Sequence, residues 1–303
     1  MVVPLRLALV GIGKIARDQH LPAVAASADF ELVAAVSRHA TVEGVANFTD
    51  IEALIGSGMA IDAVSLCTPP VGRHVIAAKA LKTGWHVMLE KPPGATLSEV
   101  RALQPHGKTL FCSWHSRQAA GVAAAKAWLA GQTPCAGRIV WHEDIRKWHP
   151  GQDWILAAGG LGVFDPGINA LSIVTELLPG LRVAAARLVF PQGRDAPIAA
   201  ELTLAAGDAS IACDFDFRET GDEQWTIEVV TDAGTLTLSE GGARLAIDRV
   251  AQPLPANAEY PGLYARLAAL IAVGESDVDL RPLELVADAF LLGERVETEA
   301  FAF

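Results

Sequence analysis

Over its first 117 residues the chain alternates short, β-branched apolar runs with stretches of helical spacing. LRLALV, FELVAAVS, DAVSLCT, HVMLE and TLFCSW read as strands, and KIARDQHLPAVAAS, TDIEALIGS, VGRHVIAAKALKTG and TLSEVRALQPHG as the helices between them. Runs with so little polar alternation are buried on both faces, the condition of a parallel sheet covered by crossover helices. The expected fold class is α/β, with an N-terminal doubly wound parallel sheet over residues 1–117.

After a helix around AAGVAAAKAWLAG the pattern changes. GRIVWHEDIRKW, RVAAARLVFP, PIAAELTLAAG, SIACDFDFRE, EQWTIEVVTD and GTLTLSEG read as strands, several with period-two alternation. In CDFDFR, Phe215 and Phe217 are expected to face a core while Asp214, Asp216 and Arg218 face water. TDAGT reads as a hairpin turn, and RPLELVADAFLLGERV as a closing helix. Residues 118–303 are therefore expected to form a C-terminal α+β domain with a large, mostly antiparallel open sheet. The free face of such a sheet suits a second copy of the chain, so a homo-oligomer, in the first instance a dimer, is expected.

Two domains fit a length of 303 residues, and 51% apolar with 19% charged residues describes a globular chain. A net charge of -11 argues against nucleic acid or an anionic membrane as main partner, but leaves room for a local basic pocket. Cys67, Cys112, Cys135 and Cys213 are scattered, without C-x-x-C or paired histidines at metal spacing. Reduced thiols and no metal are expected. The apolar run at the N-terminus is short and ends in G-I-G without a cleavage site, so it is read as a strand and not as a signal peptide. No apolar run is long enough to cross a bilayer, and a soluble, cytoplasmic protein is expected.

LALVGIGKIA places Gly11, Gly13 and Ala16 in G-x-G-x-x-A spacing between a strand and a helix. Gly11 permits the tight turn, Gly13 admits a pyrophosphate to the backbone, and Ala16 lets helix and strand pack closely. The helix start at Lys14 and Ile15 supplies N–H donors. The glycines alone also suit an ordinary strand–helix turn, and it is their context that favours a dinucleotide. The second strand ends in AVSRHA, with Ser37 and Arg38 where an acid would bind ribose hydroxyls. Without a carboxylate to repel a 2′-phosphate, NADP is expected to be preferred and NAD accepted; a solvated loop arginine is the alternative for Arg38.

Residues 62–94, DAVSLCTPPVGRHVIAAKALKTGWHVMLEKPPG, carry a strand ending in T-P, a following His and a strand ending in E-K-P. This segment resembles the Gfo/Idh/MocA family of glucose–fructose oxidoreductase and inositol dehydrogenase relatives, whose first domain is a Rossmann sheet. Ligands bind such sheets at the carboxyl ends of the strands, where Cys67, Thr68, Pro69, Glu90 and Lys91 fall. The resemblance implies cofactor contacts for these strand ends, a Lys91 that points at substrate, and a cis Lys91–Pro92 bond. His74 belongs to a helix start and is assigned either to the cofactor or to a structural role. WHSRQAA, WHEDIRKWHPGQDW and GGLGVFDPGINALSIVTELLP resemble more narrowly the D-galactose and L-arabinose 1-dehydrogenases, which implies oxidation of an aldopyranose at C1 to a lactone.

Many relatives in that family carry D-x-x-x-H where this chain has Asp165 and Asn169. From the residues alone, Asp165 before Pro166 is an expected N-cap, and Asn169 lies on the same helix face. Asn cannot take a proton near neutral pH, so the base for the anomeric hydroxyl is sought elsewhere. Asp165, shielded by apolar neighbours, is the favoured base, with Lys91 as electrostatic partner and Asn169 as orienter of the hydroxyl. Lys91 as the base, and a purely capping Asp165, are the alternatives. Glu143, Trp148 and His149, with Trp154, form a sugar-like cluster, and His115 and Arg117 sit past another strand end within expected reach of substrate or cofactor. Competing readings are a sugar- or dinucleotide-sensing regulator without turnover, and inositol oxidation or imine and biliverdin reduction.

Overall fold

The computed structural model describes residues 3–303. The chain divides into two units, one running through His115 and joined by Tyr260–Leu280, the other comprising Ser116–Glu259 and Arg281–Phe303.

The first unit holds β1 (Leu5–Val10), β2 (Phe30–Val36), β3 (Ala46–Phe48), β4 (Ala63–Leu66), β5 (His86–Glu90) and β6 (Leu110–Ser113). All pair in parallel in the order β3-β2-β1-β4-β5-β6, so the winding reverses between β1 and β4. Successive side chains of one strand enter opposite cores, as the unbroken apolar runs require. Ala8 and Val10 of β1 join Val64, Leu66 and the Ala77, Ala80 and Leu81 face of helix Arg73–Thr83. Leu7 and Leu9 join Met88, Phe111 and Tyr264 and Leu267 of helix Glu259–Val273.

That last helix lies far along the chain, so a single boundary after residue 117 leaves out a returning segment. The return also covers the β6 edge: Asp277 accepts from Cys112 N–H at 2.9 Å, and its own N–H reaches Leu110 O at 3.0 Å. Local periodicity reports an element's type, whereas the sheet that buries it is chosen by tertiary packing.

The second unit holds β7 (Pro134–His142), β8 (Arg182–Pro191), β9 (Ala199–Ala206), β10 (Ala209–Asp216), β11 (Gln224–Thr231), β12 (Gly234–Ser239), β13 (Arg244–Ile247), β14 (Val250–Ala251) and β15 (Glu294–Thr298). Their order is β14-β13-β12-β11-β7-β10-β9-β8-β15, antiparallel except where β10 meets β7 and β15 meets β8. The α+β expectation holds. Phe215 and Phe217 are buried, Asp214 and Asp216 half-buried and Arg218 exposed, and Asp232-Ala233 close the β11–β12 hairpin.

Two expectations need correction. The strand in GRIVWHEDIRKW stops at His142, because Asp144 caps a helical turn Ile145–Trp148, accepting Arg146 N–H at 3.0 Å. The closing helix stops at Leu292, and Glu294–Thr298 becomes a strand paired with β8.

Candidate active site

In the first unit the candidate residues gather at the carboxyl ends of β1, β2, β4 and β5. Gly11 has φ +92°, and a Cβ there would lie 2.7 Å from Thr68 N, so only glycine fits. A Cβ on Gly13 would meet nothing within 4 Å, which leaves the backbone open to a ligand. Ala16 is buried, Lys14 pairs with Asp18 across one turn, and Ile15 lies half-exposed at the surface. Thr68 Oγ1 is buried without a hydrogen-bond partner. At the end of β2, Ser37 N–H reaches Phe48 O at 2.9 Å. Arg38 is exposed and has no hydrogen bond or ion pair among the described residues. An open approach at Gly13 and an orphan hydroxyl on Thr68 suit a dinucleotide.

Beneath this turn is a buried polar cluster that sequence reasoning did not find. The helix runs as a π-turn over Ala16–His20, and His20 is fully buried. Its Nδ1 is 2.8 Å from Tyr264 Oη and its Nε2 3.3 Å from Glu90 Oε1. Tyr260 donates to the same Glu90 oxygen at 2.7 Å, and Tyr264 donates to Ser65 Oγ at 3.2 Å. The second Glu90 oxygen accepts Lys91 N–H.

Burial pushes the Glu90 carboxyl up, but the hydrogen bond and charge of His20, the charge of His115 and the Tyr260 hydroxyl outweigh it and hold Glu90 at about 2. Burial likewise pushes His20 down, yet Cys67, Tyr264 and Glu90 together raise it well above its ordinary value. The result is a buried ion pair whose carboxylate is turned to inward partners.

Arg73, also unforeseen, is buried and ties the ends of β4 and β5: Nε donates to Thr68 O at 3.0 Å, and the guanidinium also meets Glu90 O and Pro92 O. The Lys91–Pro92 bond is cis, as the resemblance implied, and Lys91 is half-buried. Cys67 is half-buried and Pro69 exposed. His74 Nδ1 faces Glu99 Oε1 at 3.4 Å, and His115 stacks on Tyr260 with ring centroids 5.3 Å apart.

In the second unit Asp165 is 6% exposed on helix Phe164–Leu177. It is not the N-cap: Val163 holds that position, and Asp165 is the second helical residue. A tight turn leads in, with Asp165 N–H on Gly162 O at 2.9 Å, and the carboxylate is engaged elsewhere. Its Oδ2 lies 3.2 Å from His149 Nε2, while His149 Nδ1 lies 3.3 Å from Gln152 Oε1. Trp154 Nε1 donates to that same Gln152 oxygen at 3.2 Å, and Phe217 meets the His149 ring edge-on. Asn169, one turn on, is half-buried, and its side-chain amide makes no hydrogen bond among the described residues.

Glu143 is buried and accepts Trp141 Nε1 at 3.1 Å. Trp148 donates to Glu223 and lies against Trp225, whose own Nε1 is buried without a partner. Arg117, expected near substrate or cofactor, instead braces helix Phe164–Leu177 through Ser172 O at 2.9 Å and Thr175 Oγ1 at 3.0 Å. No cluster of three or more potential metal ligands occurs among the described residues. None of their helices is long and apolar enough to cross a membrane.

Comparison with known proteins gives the same family. Residues 5–110 match the GFO_IDH_MocA description, an oxidoreductase family with an NAD-binding Rossmann fold. A galactose 1-dehydrogenase of Pseudomonas fluorescens is 46% identical over 301 residues, 98% of this chain and 99% of that protein. The crystal structure of a D-galactose-1-dehydrogenase from Rhizobium etli matches with TM-score 0.94 and 55% identity, covering 100% of this chain and 99% of the other. A 3-ketoreductase from Actinomadura kijaniata shares the fold at TM-score 0.85 and 18% identity, covering 98% and 100%. With a glycine turn shaped for a dinucleotide, a cis Lys91–Pro92 strand end and 46% identity over nearly its whole length to such a dehydrogenase, the chain belongs to the Gfo/Idh/MocA oxidoreductase family.

Proposed function

We propose that the protein oxidises an aldopyranose, D-galactose or L-arabinose, at C1 to the sugar lactone, with NADP preferred and NAD accepted. The observation that carries this reading is a buried carboxylate, Asp165, set beside an imidazole, an unpaired amide on Asn169 and an indole-rich cluster. Carboxylate, imidazole and amide recognise sugar hydroxyls, and indole faces cover the apolar C–H surface of a pyranose. Gly11, Gly13, Lys14, Ile15, Cys67, Thr68 and Pro69 hold the dinucleotide, and Ser37 with Arg38 binds its 2′-phosphate. When bound, the nicotinamide accepts the hydride that leaves C1.

Asp165 takes the proton of the anomeric hydroxyl, and Asn169 orients that hydroxyl. Lys91 stabilises negative charge that develops on the substrate. Glu143, Trp148, His149 and His115 bind the remaining substrate surface. Glu90 and His74 act from behind the cofactor turn, holding the strand end and the helix start.

Turnover of both sugars with each cofactor, for the wild type and Arg38→Ala, tests the reading. The wild type is expected to reduce the nicotinamide. Arg38→Ala is expected to raise KM for NADP by roughly tenfold to a hundredfold, the worth of a charge-assisted hydrogen bond, with less than about a threefold change for NAD. Equal losses would refute the phosphate role. Tight dinucleotide binding with no reduction by any aldose would identify a sensor instead.

A further inference from the structure

Trp154 Nε1 carries a proton and can only donate, so the Gln152 atom facing it is the carbonyl oxygen. The same oxygen faces His149 Nδ1 at 3.3 Å, and a carbonyl oxygen there requires a proton on Nδ1. A neutral His149 then has a bare Nε2, and this is the nitrogen 3.2 Å from Asp165 Oδ2. Two lone pairs face each other across that gap unless a proton lies between them.

We propose that Gln152 is a positioning residue that, itself held by Trp154, fixes His149 as its Nδ1–H form and so makes the His149–Asp165 edge a proton-accepting one. The proposal rests on the reading of Asp165 as base. The proton leaving the anomeric hydroxyl goes to the Asp165 carboxylate, where His149 Nε2 stands ready to share it, and no other bond changes at the pair. Were His149 free to carry its proton on Nε2, it would already donate to Asp165 and occupy one of the carboxylate's acceptor positions. Which ring nitrogen holds the proton is set by the partner of the other, and an imidazole held in the wrong form does not serve an adjacent acid or base.

The test is the imidazole ¹⁵N spectrum of the full-length protein labelled on its eight histidines, with the His149 resonances assigned by their loss in His149→Ala. At alkaline pH the wild type is expected to show a protonated Nδ1 and a bare Nε2. Gln152→Glu, which keeps an acceptor in place, retains that pattern, and Gln152→Leu moves the proton to Nε2. In sugar oxidation, kcat falls about tenfold or more in Gln152→Leu and stays within about threefold in Gln152→Glu.

A protonated Nε2 in the wild type, an unchanged pattern in Gln152→Leu, or wild-type kcat in that variant would overturn the proposal. If Gln152→Leu does not fold, the wild-type and Gln152→Glu spectra decide it. The spectra need no substrate, so an absence of aldose oxidation would sink the functional reading and leave the assignment of Gln152 standing.

Discussion

Asp165→Asn is expected to lower kcat for D-galactose by about two to four orders of magnitude, the usual contribution of a positioned base. Asn has nearly the volume of Asp and can turn its NH₂ to donate to His149 Nε2, but its amide takes no proton near neutral pH. The loss is therefore expected in turnover, with dinucleotide affinity changed less than about twofold. The local fold should survive, because Val163 holds the N-cap position and backbone bonds hold the entry to helix Phe164–Leu177, among them Asp165 N–H to Gly162 O at 2.9 Å. Steady-state kinetics beside fluorescence titration of the dinucleotide would separate the two quantities. Near-normal turnover in Asp165→Asn would move the base to Lys91.

Glu90→Gln is expected to destabilise the first unit by roughly 3–5 kcal/mol, the cost of breaking a buried ion pair from one side. Both Glu90 oxygens accept: one from Tyr260 at 2.7 Å and His20 at 3.3 Å, the other from Lys91 N–H. An amide accepts on one side only, so Gln would point an NH₂ at donors whichever way it turned. The pH dependence follows from the two directions. Glu90 is depressed from 4.5 to about 2, so its contribution is present above about 4.5 and is lost as pH falls toward 2. His20 is raised above 6.5, so its contribution is full below 6.5 and is lost as pH rises through the folded value. The pair thus contributes most between about 4.5 and 6.5. Urea unfolding should show the largest gap between wild type and Glu90→Gln in that window, narrowing on the acid side. A gap that is constant with pH would mean that the cluster is not ionised.

Five of the six strands of the first unit were legible because each is an apolar run separated from the next by helical spacing, and the G-x-G-x-x-A turn sits where β1 ends; the short edge strand Ala46–Phe48, reached from β2 without a helix, was not. The hairpin at Asp232-Ala233 and the inward Phe215 and Phe217 were legible for the same local reason. His20, Arg73, Tyr260 and Tyr264 were not. The His20–Tyr264 hydrogen bond joins residues 244 apart, and nothing near either marks the other. The turn at Ile145–Trp148 was read as strand because its apolar spacing is short, and the cap on Asp144 decided otherwise.

Asp165 shows the limit most clearly. Asp before Pro is a sound capping signal, yet here Val163 starts the helix and the carboxylate meets His149. The imidazole that meets the carboxylate lies sixteen residues back along the chain, beyond what a local capping signal reports.

The most direct measurement of the proposed reaction uses D-galactose carrying deuterium at C1. The account predicts that the reduced nicotinamide acquires that deuterium, that turnover slows relative to unlabelled sugar when the chemical step limits, and that the lactone forms in equal amount. Cofactor reduction without deuterium in the nicotinamide, or no reduction at all, would contradict it.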